Sequence, residues 1–116
     1  MTTAKNRLIT NILLRKGGVV NKVASRYVMA GFQVRVNPEI PGLDLIATKS
    51  GEAYGVRVIW EKKRYEGQVI EELLNASKKL GLKPILILYG SGPHIDKDII
   101  EEASRKGVLV KRIRGV

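Results

Sequence analysis

Hydrophobic residues recur at helical spacing in three separate stretches of the chain. Residues 19–30 place Val20, Val23 and Val28 on one side of a predicted helix, and a glycine follows as the stop. Residues 66–80 and 96–106 repeat this pattern, and each is again followed by glycine. The sequence therefore predicts three amphipathic helices that each bury one face.

Between these helices the pattern changes to that of strands. Residues 32–36 alternate, and residues 43–48 and 53–60 flank a Ser50-Gly51 dipeptide, which predicts a β-hairpin beside an edge strand. Residues 84–89 form a continuous apolar run typical of a strand that is buried on both faces, and residues 108–113 supply a last strand. A helix between two such strands implies a parallel crossover.

The predicted order is α-β-β-β-α-β-α-β, a mixed α/β sheet flanked by helices. At 116 residues the chain is expected to form a single domain, residues 1–116. Residues 1–17 place Leu8, Ile12 and Leu13 on one helical stripe, and Gly17-Gly18 separates them from the next helix. This segment is predicted to be either a first helix or a basic arm.

The charge of the chain is strongly positive and unevenly distributed. Twenty-one Lys and Arg against eleven Asp and Glu give a formal net charge of +10, enough to attract a polyanion such as nucleic acid. A thermophilic surface rich in lysine is the alternative interpretation, but such a surface mixes the signs. Residues 1–38 instead carry seven basic residues and no acidic one.

The residue types that are absent narrow the chemistry. There is no cysteine, which excludes disulfides, thiolate metal sites and cysteine nucleophiles, and fits a reducing cytoplasm or a hot environment. No apolar run approaches the roughly 20 residues of a membrane span, so we expect a cytoplasmic protein without a membrane partner.

Several motifs resemble those of one nuclease family. They are Lys16-Gly-Gly-Val-Val-Asn-Lys-Val-Ala-Ser-Arg-Tyr27, Ala30-Gly-Phe32, Gly42-Leu-Asp-Leu-Ile-Ala47 and Tyr54-Gly-Val-Arg-Val-Ile59. With the element order, they resemble the restriction-endonuclease-like PD-(D/E)xK fold, and in particular archaeal Holliday-junction resolvases. In that family an Asp on the second strand and a Glu-x-Lys on the third gather Mg²⁺ for phosphodiester cleavage, often assisted by a helical Glu.

The chain departs from the family pattern at most of these positions. Asp44 matches the strand Asp, and the resemblance makes it the candidate metal ligand, but Arg57-Val58-Ile59 stands where Glu-x-Lys is expected and Asn21 replaces the helical Glu. A two-residue turn at Ser50-Gly51 sets Asp44 directly opposite Arg57, with Cβ atoms about 5 Å apart. The pair is predicted to form a salt bridge in place of a metal site, and Arg57 could also hold a phosphate.

An active enzyme is the alternative. Glu61 and Lys63 share the strand parity of Arg57 and, with a turn moved to residues 51–54, would supply a displaced Glu-x-Lys beside Asp44. The protein would then be an Mg²⁺-dependent, structure-selective endonuclease that uses Asp44, Glu61 and Lys63, with Glu39 as an extra ligand. Without that shift no cofactor is expected.

Residues 60–65 interleave aromatic and basic side chains, a composition suited to phosphate contacts and base stacking, although a solvated strand end is the plainer interpretation. We expect a protein with a degenerate metal site that binds nucleic acid, DNA rather than RNA, with branched DNA as one candidate substrate. The predicted contacts are Lys16, Lys22, Arg26, Arg57, Trp60, Lys62, Lys63, Arg64 and Tyr65. Two further alternatives remain open: a homodimer, as the resemblance suggests, and an inactive accessory subunit of a protein complex.

Overall fold

The computed structural model describes residues 3–114, apart from the side chains of Leu14 and Lys16. The helices are α1 (Ala4–Lys16), α2 (Val19–Met29), α3 (Gln68–Leu80) and α4 (Lys97–Arg105). The strands are β1 (Gln33–Val36), β2 (Leu45–Lys49), β3 (Glu52–Ile59), β4 (Arg64–Tyr65), β5 (Lys83–Tyr89), β6 (His94–Ile95) and β7 (Leu109–Ile113). Five strands form one mixed sheet in the order β1-β2-β3-β5-β7, which confirms the predicted α/β class.

The hairpin forms with the predicted turn. Ser50 and Gly51 both have positive φ, at 52° and 81°, the backbone of a two-residue type I′ turn. Lys49 pairs with Glu52, and the antiparallel register runs from there to Leu45 opposite Val56. The predicted register of β2 and β3 is therefore confirmed.

The second half of the chain supplies the parallel part of the sheet. Strand β5 pairs in parallel with both β3 and β7, and α3 and α4 make the two crossovers, as predicted. Helix α3 stops where Gly81 adopts a left-handed conformation, with φ of 67°. The carboxyl ends of β3, β5 and β7 consequently meet at one edge of the sheet.

Two cores lie on opposite faces of the sheet. On one face the even-numbered residues of β5 pack with α3, for example Leu86 against Leu73. On the other face the odd-numbered residues of β5 join α2, for example Ile87 with Val23. The alternation along β5 explains why its sequence is apolar throughout.

Helix α1 forms, but its predicted buried stripe is wrong. Leu8 and Ile12 are exposed, and the buried side of the helix holds Thr10 together with the partly buried Ile9 and Leu13. These inward residues face the α2–β1 region, because α1 packs on α2. Among residues 3–114, no helix combines the length and the apolar character that crossing a membrane requires.

Charged side chains tie the amino ends of β3 and β5 together. The Glu52 carboxylate accepts hydrogen bonds from Lys83 at 2.8 Å and from the Tyr54 hydroxyl at 2.6 Å. The hydrogen bond from Lys83 is the largest cause that lowers the pKa of Glu52, followed by the one from Tyr54.

Replacing the lysine should therefore change the titration of its partner. We expect Lys83→Met to raise the pKa of Glu52 toward its ordinary range, observed by ¹³C-detected NMR titration of the side-chain carboxyls. Glu102, whose pKa is lowered by its hydrogen bond from Arg105, provides the internal reference and should titrate unchanged. A Glu52 pKa that stayed low in the variant would contradict this contact.

Candidate nucleic-acid interface

Asp44 and Arg57 face each other across the hairpin, as the turn predicted. The Asp44 Oδ2 atom lies 3.8 Å from Nε of Arg57 and accepts a hydrogen bond of 2.7 Å from the backbone N–H of Val58. Asp44 lies one residue before β2, and its carboxylate satisfies a backbone N–H near the end of β3. Both side chains of the pair are partly exposed, so the ion pair can be reached from solvent.

The Arg57 guanidinium forms an ion pair with Asp44, but one of its hydrogen-bond donors has no partner. Its Nε atom is buried and has no hydrogen-bond partner in the described structure, since 3.8 Å is an ion-pair distance and too long for a hydrogen bond. The Arg57 side chain as a whole is 32% exposed, so an anion from solvent would meet the exposed part of the guanidinium and not its buried Nε. The predicted salt bridge is present.

A glycine positions this aspartate. Gly42 has φ of 92°, and a Cβ atom there would lie 2.5 Å from the backbone oxygen of Glu72 in α3. The chain can therefore run directly beneath α3 only without a side chain at this position. Leu43 then enters the core, and Asp44 emerges opposite Arg57.

The stretch after β3 is not the strand end that the sequence suggested. Strand β3 stops at Ile59, Trp60 is 51% exposed, and the chain turns so that β4 pairs in parallel with β6. The backbone N–H of His94 donates to the carbonyl of Lys63 at 3.0 Å. The loop formed by residues 60–63 is thereby fixed beside residues 90–94.

Close packing holds this loop from the other side. A Cβ atom on Gly92 would lie 3.1 Å from Cα of Lys62, so the segment that follows β5 presses on the loop that follows β3. The carbonyl oxygens of Gly90 and Pro93 accept hydrogen bonds from the guanidinium of Arg112. The carboxyl ends of the three parallel strands are linked at this edge of the sheet.

Four of the predicted contact residues line one shallow depression of about 350 Å³. We call it the Arg57 depression; it is lined by Arg57, Lys63, Arg64, Tyr65, Glu66, Gln68, Val69 and Glu72. Arg64 forms an ion pair with Asp96, and the Nζ atom of Lys63 lies 5.0 Å from the centroid of the Tyr65 ring. The structure therefore brings residues 63–65 of the predicted contact stretch together with Arg57, alongside two glutamates.

The displaced metal site does not form. Glu61 and Lys63 lie beyond the end of β3, so the strand parity that would align them with Arg57 is lost, and the turn remains at Ser50-Gly51. Glu39 is an exposed loop residue with φ of 60°. Within residues 3–114, no three His, Cys, Asp or Glu side chains stand close enough together to hold a metal ion.

The donor set at Asp44 also does not fit a divalent cation. Its Oδ2 atom already accepts the Val58 N–H, and the Arg57 guanidinium that faces it carries a full positive charge that repels a cation.

The basic residues of the N-terminal half lie elsewhere. Arg57 shares the sheet face of α3, whereas Lys22 and Arg26 are exposed on α2, which covers the opposite face. The side chain of Lys16 lies outside the described part of the chain. The sequence suggested one basic surface, and the structure divides the described part of it between two faces.

One basic surface was missed. Arg26 shares a groove between α2 and β7 with Lys111 and Arg114, two residues that are not among the predicted contacts. The signal was present: Leu109, Lys111 and Ile113 alternate with their neighbours on a terminal strand, which puts a lysine on an otherwise apolar strand face.

Comparison with known proteins adds evidence on the fold. No family model and no curated protein matches the chain. A solved structure described as "Crystal Structure of Protein of Unknown Function AF1548" is similar to it, with a TM-score of 0.57 and 12% sequence identity over 78% of this chain. The match covers 54% of that chain, so the present chain spans about half its length. Similarity at this identity shows a common fold.

Proposed function

We propose that this chain is a nucleic-acid-binding protein that holds DNA by its phosphates at the Arg57 depression and does not cleave it. The observation that carries the proposal is the gathering of Arg57, Lys63, Arg64 and Tyr65 around one depression. Lys62 and Trp60, on the adjoining loop, extend this surface with a cation and an aromatic ring. A cytoplasmic location belongs to the same proposal.

The side chains of this surface differ in how freely they can meet a phosphate. Lys62 and Lys63 are exposed and form no ion pair within residues 3–114, so they offer full charges. Arg57 and Arg64 are already paired with Asp44 and Asp96, and would share their guanidinium groups with a phosphate. We therefore assign the larger part of the binding energy to the two lysines.

The exposed ring of Trp60 adds a preference for unpaired bases to this electrostatic attraction. Trp60 exposes half of its surface at the edge of the site, and an exposed indole can stack on a base that is unpaired or displaced. A regular duplex offers no such base outside its stack. Branched DNA, which the resemblance to resolvases also implies, is the expected preferred substrate over duplex DNA and RNA.

Arg57 is also the reason for proposing binding without cleavage. Phosphodiester hydrolysis of the family type needs carboxylates around Mg²⁺, and here a cation faces the aspartate. Arg57 would instead neutralise a bound phosphate.

The proposal is tested by fluorescence anisotropy of a labelled four-way DNA junction and a matched duplex across a salt series. We expect binding that weakens steeply with salt and favours the junction. The double variant Lys62→Glu/Lys63→Glu should weaken binding about tenfold or more and flatten the salt slope by about two, because each lost phosphate contact removes about one unit.

The matched control is Lys78→Glu/Lys79→Glu, which changes the net charge by the same amount at the opposite end of the sheet, where α3 ends before β5. Its affinity should fall much less. Equal losses in the two double variants would mean that net charge alone attracts DNA. Mg²⁺-dependent cleavage abolished by Asp44→Ala would replace the proposal by the nuclease alternative.

A further inference from the structure

The α2 side of the sheet is only partly covered. Helix α2 packs on β1, β2 and β3, and α1 packs on α2 near the β1 edge. On this face Ile85 and Ile87 of β5 are buried in the core that includes α2, but on the edge strand β7 Leu109 is 57% exposed. An open groove of about 660 Å³ follows this stretch between α2 and β7.

The floor of this groove is aliphatic. Ile85 and Ile87 from β5 and Leu109 and Ile113 from β7 line it, and the strand register places Ile85 beside Leu109. Apolar side chains of this kind favour a partner that brings apolar groups of its own. They offer neither charge nor hydrogen-bond donors to a phosphate backbone.

The rim of the groove is positive. The groove is lined by four basic residues and no acidic one, and none of the four forms an ion pair within residues 3–114: Arg26, Lys111, Arg112 and Arg114. Arg112 donates hydrogen bonds to the carbonyls of Gly90 and Pro93, which leaves the other three for a ligand. In contrast, Arg64, Lys83 and Lys106 elsewhere on the surface each have a carboxylate partner. An aliphatic floor inside an uncompensated cationic rim is complementary to a ligand with an apolar stripe and flanking carboxylates.

We propose that this groove binds an acidic amphipathic helix of a partner protein. Such a helix would lie beside α2 and complete the helical layer, with its apolar stripe on the exposed Leu109 and the partly exposed Ile113. Its flanking Asp and Glu side chains would meet the three basic residues of the rim. Recognition of an amphipathic helix by an apolar groove is a common mode of peptide binding.

The charges argue against a second copy of this chain as the occupant. Two chains of formal charge +10 repel each other. The acidic residues of α3 and α4 stand on helices whose apolar faces are already buried in the core on the other side of the sheet. A second copy therefore cannot offer an acidic helix with a free apolar stripe from either of them.

The aromatic residues argue against a single nucleic-acid strand. Tyr27, Phe32 and Tyr54 border the groove, but they pack edge-to-face on one another, with centroid separations of 5.2 and 5.9 Å. The rings of Phe32 and Tyr54 are also approached by Lys49 and Lys83. Rings engaged in this way have less of their faces available for bases to stack on.

The test uses the full chain and a labelled synthetic peptide of about four helical turns, with leucines at helical spacing flanked by glutamates. We expect saturable binding, and about tenfold weaker binding of a scrambled peptide of the same composition. Leu109→Ser and Lys111→Glu, both at exposed positions, should each weaken the amphipathic peptide about fivefold or more.

Two controls separate this proposal from the nucleic-acid proposal. Lys78→Glu, outside the groove, should leave peptide binding unchanged, and Leu109→Ser should leave the affinity for labelled DNA unchanged. Equal binding of the scrambled peptide, or no effect of Leu109→Ser on the peptide, would overturn the groove as a helix site. Loss of DNA binding in Leu109→Ser would also overturn the helix-binding proposal and assign the groove to nucleic acid. The Lys62→Glu/Lys63→Glu variant tests the Arg57 depression independently.

Discussion

Replacing Gly42 by alanine should lower the free energy of unfolding by roughly 3 kcal/mol. Two costs combine there: φ of 92°, which residues with a side chain rarely adopt, and a Cβ atom 2.5 Å from the Glu72 backbone oxygen. A helix carbonyl cannot rotate away as a side chain can, so relief requires α3 or the loop to shift. Thermal and denaturant unfolding should show a melting temperature lower by about 10–15 °C.

Two other glycines separate these costs. Gly51 has φ of 81° with open space where a Cβ atom would lie, so Gly51→Ala measures the backbone cost alone, about 1 kcal/mol. Gly67 has φ of −62° and open surroundings, so Gly67→Ala should change the stability little. If Gly42→Ala cost no more than Gly51→Ala, the close approach of the loop to α3 would be refuted.

The effect at Gly42 also explains the motif in which it stands. In Gly42-Leu43-Asp44 the glycine allows the chain to pass under α3, the leucine fills the core, and the aspartate meets Arg57. The motif therefore has a structural reason that is independent of catalysis. The fold therefore requires the glycine whatever the role of the neighbouring aspartate.

The hairpin shows how far local rules reach. The Ser50-Gly51 turn fixed a two-residue connection, and the strand period of two then placed Asp44 opposite Arg57 without any knowledge of tertiary structure. The three amphipathic helices were predictable for a similar reason: their periodicity records the single face that each one buries.

Other features could not be read from local patterns. The β4–β6 ladder involves two residues from each strand and has no periodicity to detect, so the turn of the chain at residues 60–63 was not predicted. In α1 the apolar residues Leu8, Ile9, Ile12 and Leu13 allow two stripes, and only the position of α2 selects Ile9 and Leu13.

The separation of the basic residues has a similar cause. A charge count along the chain cannot tell on which side of a sheet a helix lies, because that depends on the handedness and order of the connections. Arg26 and Arg57 were therefore expected on one surface, and the structure puts them on opposite faces. Each face then supports its own proposal: phosphate contacts around Arg57, and an acidic helix beside Arg26.

Placing a carboxylate opposite Asp44 is the sharpest test of the electrostatic interaction between residues 44 and 57. Arg57→Glu removes the ion pair and sets two negative charges face to face across the hairpin. We expect the free energy of unfolding at neutral pH to fall by about 2 kcal/mol, because the pair is only partly exposed and repulsion replaces attraction. Since facing carboxylates take up a proton more readily than separate ones in the unfolded chain, the deficit should shrink as the pH falls toward about 5.

A divalent cation should relieve the same repulsion. In Arg57→Glu, about 5 mM Mg²⁺ should raise the melting temperature, whereas the unaltered chain, with a guanidinium at this position, should not respond. Arg57→Gln is the matched control, because it loses the ion pair without adding a negative charge. It should be destabilised less, its deficit should not shrink between neutral pH and about pH 5 as that of Arg57→Glu does, and Mg²⁺ should not raise its melting temperature. Differential scanning fluorimetry of the three proteins measures all of these shifts. If Arg57→Glu matched Arg57→Gln in stability and in its responses, residues 44 and 57 would not interact electrostatically, and the proposal that Arg57 keeps divalent cations away from Asp44 would fail.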